Sequence, residues 1–209
     1  MSRTELTKPI AGASPRLKAR IAGLLYLIIF IAAPSGAATA TPAKMIITLA
    51  CDTGVALILY ELLKPVSRSV SLLAALFRLI FVAVMAFNSL SYFGAVVSPG
   101  RAHSAAAFDV GYGIAMVPFG VHCLLIGYLI FESIFLPRIL GVLMALAGLG
   151  YLTFLWPWLG SHLFFPYILI PGILGEGSLT LWLLVMGVNV QRWKEQANAA
   201  RPVVDHPIS

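Results

Sequence analysis

Apolar residues come in long blocks along this chain, separated by short polar punctuation. A bilayer core about 30 Å thick needs roughly 20 apolar residues of helix to cross it. Six blocks come close to that length: Ile21 to Ala38, Met45 to Leu63, Val70 to Val97, Asp109 to Phe131, Ile139 to Leu159 and Tyr167 to Val190. Between them, "TATPAK", "KPVSR", "SPGRAHS" and "LPR" carry Pro and Gly, which end helices. Links this short make consecutive helices antiparallel neighbours. Lipid leaves no partner for an unpaired strand edge, so the pattern predicts an all-α compact bundle of six transmembrane helices.

Composition strengthens this reading. Of 209 residues, 60% are hydrophobic and 11% charged, against roughly 25% charged in a soluble domain. Too little polar surface exists to coat a globule in water. The expected organisation is a basic N-terminal tail (1–19), a six-helix transmembrane domain (20–193) and a flexible C-terminal tail (194–209). The net charge of +6 does not point to nucleic acid, because the cations sit in tails and short loops. Eleven Lys and Arg fall on the side of the two tails, and only Lys44 and Arg101 on the other. That asymmetry predicts both termini in the cytoplasm. A rival parse takes "RLKAR", "IAGLLYLIIFIAA" and "PSGAATATPA" as a cleaved signal peptide, leaving five helices; the basic character of both tails fits six better.

Small residues recur where helices should touch. Gly141, Ala145 and Gly148 share one side of the fifth block, "GYGIAMVPFG" opens the fourth and "GEG" interrupts the sixth. Close backbone approach is their usual use in membranes. Pro118 and Pro171 are expected to bend their helices.

Against this apolar background, the ionisable residues stand out. "LLAALFRLIFVAVMAF", Leu72 to Phe87, has fifteen apolar residues of sixteen, and the sixteenth is Arg78. Asp52, His122 and Glu176 are placed similarly. Each costs at least about 2.5 kcal/mol at membrane depth unless it faces the interior and finds a partner. From the ~1.5 Å rise per residue, Asp52 and Glu176 share an outer layer, with Arg78 and His122 in a layer below. The Arg fork suits a carboxylate, so Arg78 is expected to pair with Asp52 or Glu176. A second acid left dry and unpaired would favour its protonated form. Thr48, Asn88, Tyr92 and Thr180 add milder polarity, with Thr48, Tyr92 and Thr180 on the same helix faces as Asp52, Arg78 and Glu176. The bland alternative for the whole set is a structural ion-pair network, with His122 bonded to a backbone carbonyl.

No metal or other cofactor is expected. A single His at membrane depth does not make a haem site, and zinc would need His122 plus carboxylates from other helices. Cys51 and Cys123 lie inside apolar runs without metal-ligand spacing and read as small buried hydrophobes.

The stretches "ARIAGLLYLIIFIA", "CDTGVALILYELLKPVSRSVSLLAALFRL", "FGVHCLLIGYLI", "FLPRILGVLMALAGLGYL" and "GEGSLTLWLLVMGVNVQRW" together resemble the bacterial membrane family called domain of unknown function 4386. The resemblance spans about Ala19 to Trp193 and includes all four charged residues. It implies a compact six-helix, multi-pass protein of the bacterial cytoplasmic (inner) membrane and brings no activity with it. The first and third connections are shorter here than in the family pattern, which implies a smaller external cap.

Three functional classes follow. The first is binding or transport of a small or lipophilic molecule, with Asp52 and Glu176 titrating and Arg78 holding an anion. The second is a structural or partner-binding subunit whose charges only pair; a homo-oligomer is compatible with it. The third is an acid/base enzyme of isomerase or cyclase type acting on a lipid or isoprenoid. There a carboxylic acid would protonate the substrate, His122 would serve as base, and Trp156, Trp158 and Trp182 would line the pocket. Asp52, His122 and Glu176 are the catalytic candidates in that case.

Overall fold

A computed structural model describes residues 14–33, 39–97 and 105–200. Among the described residues there are eight α-helices: α1 (Pro15–Ala32), α2 (Pro42–Leu63), α3 (Arg68–Val97), α4 (Ala105–Glu132), α5 (Arg138–Leu152), the short α6 (Pro157–Leu163), α7 (Leu169–Val185) and α8 (Val190–Ala199). The chain is an all-α, multi-pass membrane protein. Five stretches among the described residues are long and apolar enough to cross a bilayer: Pro42–Leu63, Arg68–Gly94, Ala107–Glu132, Arg138–Leu155 and Pro157–Val185. Helix α1 carries Arg16, Lys18 and Arg20 in its opening turns, so its apolar part is shorter than the sixth span requires.

Local chemistry sets the helix ends. Ser14 caps α1 by accepting from Leu17 N at 3.3 Å, and Thr41 caps α2 by accepting from Lys44 N at 3.3 Å. Each cap is followed by Pro, which lacks the amide hydrogen that a first-turn position leaves unused. The fifth block does not run on to Leu159 as the hydropathy suggests. Pro157 holds Trp156 extended, at φ −113° and ψ 94°, and α6 with an irregular turn precedes α7. The sixth block stops at Val185 rather than Val190. Gly187 sits at φ 69° and donates to Trp182 O at 2.9 Å, a left-handed cap that few other residues adopt at low cost.

Of the stretch expected to be a flexible tail, residues up to Ala199 belong to α8; 201–209 lie outside the described residues, as do 1–13. The helix is anchored by side chains that composition alone does not flag. Trp193 Nε1 donates to Leu62 O at 2.8 Å, and Gln196 Oε1 accepts from Ile134 N at 3.2 Å.

The long helices form a closed ring. Neighbours pack in the order α1, α2, α3, α4, α5, α7, and α7 returns to α1. Glycine seats the backbones against one another. A Cβ on Gly127 would lie 2.7 Å from Gly141 O, and one on Gly148 would lie 2.7 Å from Gly120 O. The four form two mutual notches, one heptad apart, between α4 and α5. Gly23 closes the ring, since a Cβ there would stand 2.6 Å from Leu184 N on α7. Lys18, Glu61, Lys64 and α8 gather at one end of the ring, called here the tail end.

These notches make a sharp prediction. Gly141→Val should destabilise the protein by about 1–3 kcal/mol through overpacking, read as a lower unfolding midpoint in detergent. Gly177→Ala, where a Cβ meets nothing within 4 Å, should leave the midpoint unchanged.

Candidate functional site

Each of the six ring helices contributes a polar side chain to the middle of the bundle: Tyr26 from α1, Asp52 from α2, Arg78 from α3, His122 from α4, Tyr151 from α5 and Glu176 from α7. They fall into two clusters. Arg78 is the hub of the first. Its Nε and Nη2 donate to Asp52 Oδ1 at 3.0 and 2.5 Å. Its Nη1 donates to Tyr26 Oη at 2.6 Å and lies 3.1 Å from His122 Nε2. Arg78 is 1% exposed, Asp52 2%, and Tyr26 and His122 not at all. The guanidinium therefore does not reach for headgroups. It is enclosed, with its charge met by Asp52 and four of its five N–H groups engaged.

Donor arithmetic fixes the histidine. His122 Nδ1 lies 2.8 Å from the Ala74 carbonyl, which can only accept, so Nδ1 carries the hydrogen. Arg78 can only donate, so the Nε2 lone pair faces Nη1. The imidazole is neutral and both nitrogens are occupied. That leaves it no free lone pair for the base role expected of it in the enzyme reading.

The second cluster is a pair. Tyr151 donates to Glu176 Oε1 at 2.7 Å. Among the described residues, Glu176 has no cation within ion-pair distance; the ion pairs are Lys18–Glu61, Lys64–Glu61 and Arg78–Asp52. Phe119 stands between the clusters, its ring centre 5.4 Å from that of Tyr151 and 5.4 Å from the Arg78 guanidinium carbon.

A cavity of about 370 Å³ lies on the far side of these clusters from the tail end. Asp52, Arg78 and Glu176 reach it, and its walls include Met45, Phe81, Met85 and Met116. Phe30 of α1, Ala33 just past its end and Ile173 of α7 form part of its lining and are exposed. The two helices touch tightly at Gly23 and flank the cavity farther along. Glu176 is half-buried, whereas Asp52 and Arg78 are almost fully buried and paired to each other, so Glu176 is the more accessible of the two acids in the lining. Thr48 also lines the cavity, and its hydroxyl oxygen is buried with no hydrogen-bond partner among the described residues.

The milder polar candidates sit elsewhere. Asn88 donates to Phe108 O at 3.0 Å, tying α3 to α4. Thr180 bonds back to Glu176 O at 2.7 Å within its own helix. The Tyr92 ring packs on Phe108, with centroids 5.0 Å apart. Tyr26 and Tyr151 were missed from sequence, yet a signal existed. Ala19, Ala22, Gly23 and Tyr26 run down one face of α1, and Gly141, Met144, Gly148 and Tyr151 down one face of α5. Three- and four-residue spacing from small contact residues to a lone Tyr marks an inward hydroxyl. Among the described residues, no three His, Cys, Asp or Glu side chains converge as a metal ion would require.

The family profile described as "Domain of unknown function (DUF4386)" matches residues 39–187, a stretch that holds Asp52, Arg78, His122, Tyr151 and Glu176. The chain belongs to the DUF4386 family. A similar protein, described as an uncharacterized protein of Archaeoglobus fulgidus, is 33% identical over 140 residues, covering 65% of this chain and 76% of the relative. That relative is archaeal, so the likeness does not of itself assign this DUF4386 chain to a bacterium. No solved structure matches it.

The buried pair yields a double-mutant test. Asp52→Leu alone should cost about 3–5 kcal/mol, because it strands a cation in the interior. Arg78→Met with Asp52→Leu should recover most of that loss. Unfolding midpoints in mixed micelles measure both, and a single variant as stable as the parent would contradict the pairing.

Proposed function

We propose that this protein binds a small, largely apolar molecule inside the bilayer, in the cavity beside Glu176. One observation carries the reading. A cavity of about 370 Å³ falls in the size range of small-molecule pockets, and its make-up follows theirs: apolar walls with a few convergent polar groups. Those groups include the Glu176 carboxyl and the Tyr112 and Tyr151 phenols, beside the Arg78–Asp52 pair. The exposed Phe30 and Ile173 at its margin support entry sideways from lipid, between α1 and α7.

This reading divides the charges expected to form one site. Arg78, Asp52, His122 and Tyr26 serve as architecture, and Glu176 with Tyr151 serves the ligand. Arg78 then has no charge to spare for an anionic ligand, since Asp52 has neutralised it. An acid/base enzyme finds less support, because the imidazole that would act as base has both nitrogens occupied. The described cations at the tail end, Arg16, Lys18, Arg20, Lys64, Arg68, Arg138, Arg192 and Lys194, support six spans with that end in the cytoplasm. A cytoplasmic membrane is the natural setting for that arrangement.

The test is a titration of the protein in nanodiscs with 4-phenylbutan-1-ol, with empty nanodiscs as reference. Saturable binding above the reference is expected, and Met116→Trp, which fills the cavity from a wall residue 3% exposed, should abolish it without lowering the unfolding midpoint. An absence of saturable binding to the parent protein would overturn the reading.

A further inference from the structure

We infer that the ligand of this cavity is a lipophilic amine, held as an ammonium against the free oxygen of Glu176. The inference rests on the binding reading above and adds the chemistry of the ligand. It follows from which polar atoms around the cavity are already used and which are not.

Arg78 is one of the groups at the cavity, and a cation there would ordinarily select an anion. Its charge is taken, however. Nε and Nη2 both bond Asp52, Nη1 bonds Tyr26 and His122, and the residue is 1% exposed. An anionic ligand would have to displace Asp52 from a buried pair, which leaves a carboxylate stranded. Glu176 is in the opposite condition. One oxygen accepts a single bond from a neutral phenol, the Tyr151 hydroxyl at 2.7 Å. The other has no protein partner among the described residues, and no cation stands within ion-pair distance. The residue is half-buried against the cavity. The uncompensated charge capacity of the cavity is therefore negative, and it takes a proton or a cation.

The rest of the lining says what kind of cation. Met45, Leu49, Phe81, Met85 and Met116 offer an apolar, polarizable wall, and the other carboxylate in the lining, Asp52, is held by Arg78 and so does not join Glu176 in caging a bare ion. Phe119 faces the same space with its ring against Tyr151. A cation carried on an apolar body satisfies wall and carboxyl together. Binding balances from either starting form. An ammonium meets the Glu176 carboxylate, or a free amine from the bilayer takes the proton of the Glu176 acid, and both routes end in one ammonium–carboxylate pair with no net charge.

The test compares 4-phenylbutylamine with 4-phenylbutan-1-ol, which differ at one terminal group, on the whole protein in nanodiscs by calorimetry against empty nanodiscs. The amine is expected to bind roughly 10- to 100-fold tighter than the alcohol, the value of one charge-assisted contact. Glu176→Gln should remove the difference and leave alcohol binding in place. Glu176→Asp keeps a carboxyl and should retain a preference for the amine, weaker than that of the parent, which guards against a Glu176→Gln variant that fails to fold. Equal affinities in the parent protein, or a preference that survives Glu176→Gln, would overturn the amine assignment while the cavity reading stood. Binding of neither compound would overturn the cavity reading and the assignment with it.

Discussion

A guanidinium in the middle of an apolar helix has to be neutralised where it lies, and the bundle is organised around that need. Arg78 has apolar neighbours for a full turn and more on either side. Left unpaired at that depth it would cost several kcal/mol, a large share of what a protein of this size has to spare. Asp52 on α2 removes the charge, and Tyr26 on α1 and His122 on α4 take two more N–H groups. One side chain thus ties α3 to three other helices. His122 extends the tie, because its other nitrogen holds the Ala74 carbonyl of α3. Such a network adds little net stability compared with well-packed hydrophobes. It does set which helices are neighbours and at what height, because the bonds are directional and a slipped register would leave a charge bare.

The same network makes sense of the one acid left outside it. Glu176 arrives on the opposite side of the ring, beyond Phe119, where Tyr151 is its side-chain hydrogen-bond partner among the described residues. The glycines determine how near it can come. Gly175 lets α7 lie on α5, with its missing Cβ 2.7 Å from Leu143 O, and Gly23 brings α1 onto α7 near the tail end. Space opens toward the far end of the ring, where Gly172 in the cavity wall leaves room for the Tyr151 hydroxyl. The cavity lies there, beside a carboxyl with no cation within ion-pair distance among the described residues. Packing provides the space, and charge pairing leaves one acid free to face it.

Much of this was legible in the sequence. Long apolar blocks require helices in lipid, and Gly141 and Gly148 marked a close contact before any coordinates did. Arg78 and its need for an acid on another helix followed from depth alone. Which acid it takes did not, because Asp52 and Glu176 lie at similar heights and only the order of helices around the ring separates them. Tyr26 and Tyr151 escaped notice because a phenol in an apolar helix costs little and raises no alarm, unlike a charge. The end of α5 was misplaced because "LTFLWPWLG" is apolar throughout, so hydropathy runs on past a break that Pro157 imposes. Helix α8 was read as tail because its anchoring rests on single hydrogen bonds from Trp193 and Gln196, which no periodicity announces. The cavity was not readable at all, since it is the space that packed side chains leave between them.

The central claim is that the two acids differ in kind: Asp52 is locked in a buried pair with Arg78, and half-buried Glu176 keeps one oxygen free toward the cavity. Dicyclohexylcarbodiimide, an apolar reagent that enters bilayers and attaches covalently to carboxylic acids it can reach, tests this directly when its adducts are mapped by peptide mass spectrometry. The account predicts an adduct at Glu176 and none at Asp52 in the folded protein. An adduct at Asp52, or an unmodified Glu176, would contradict it.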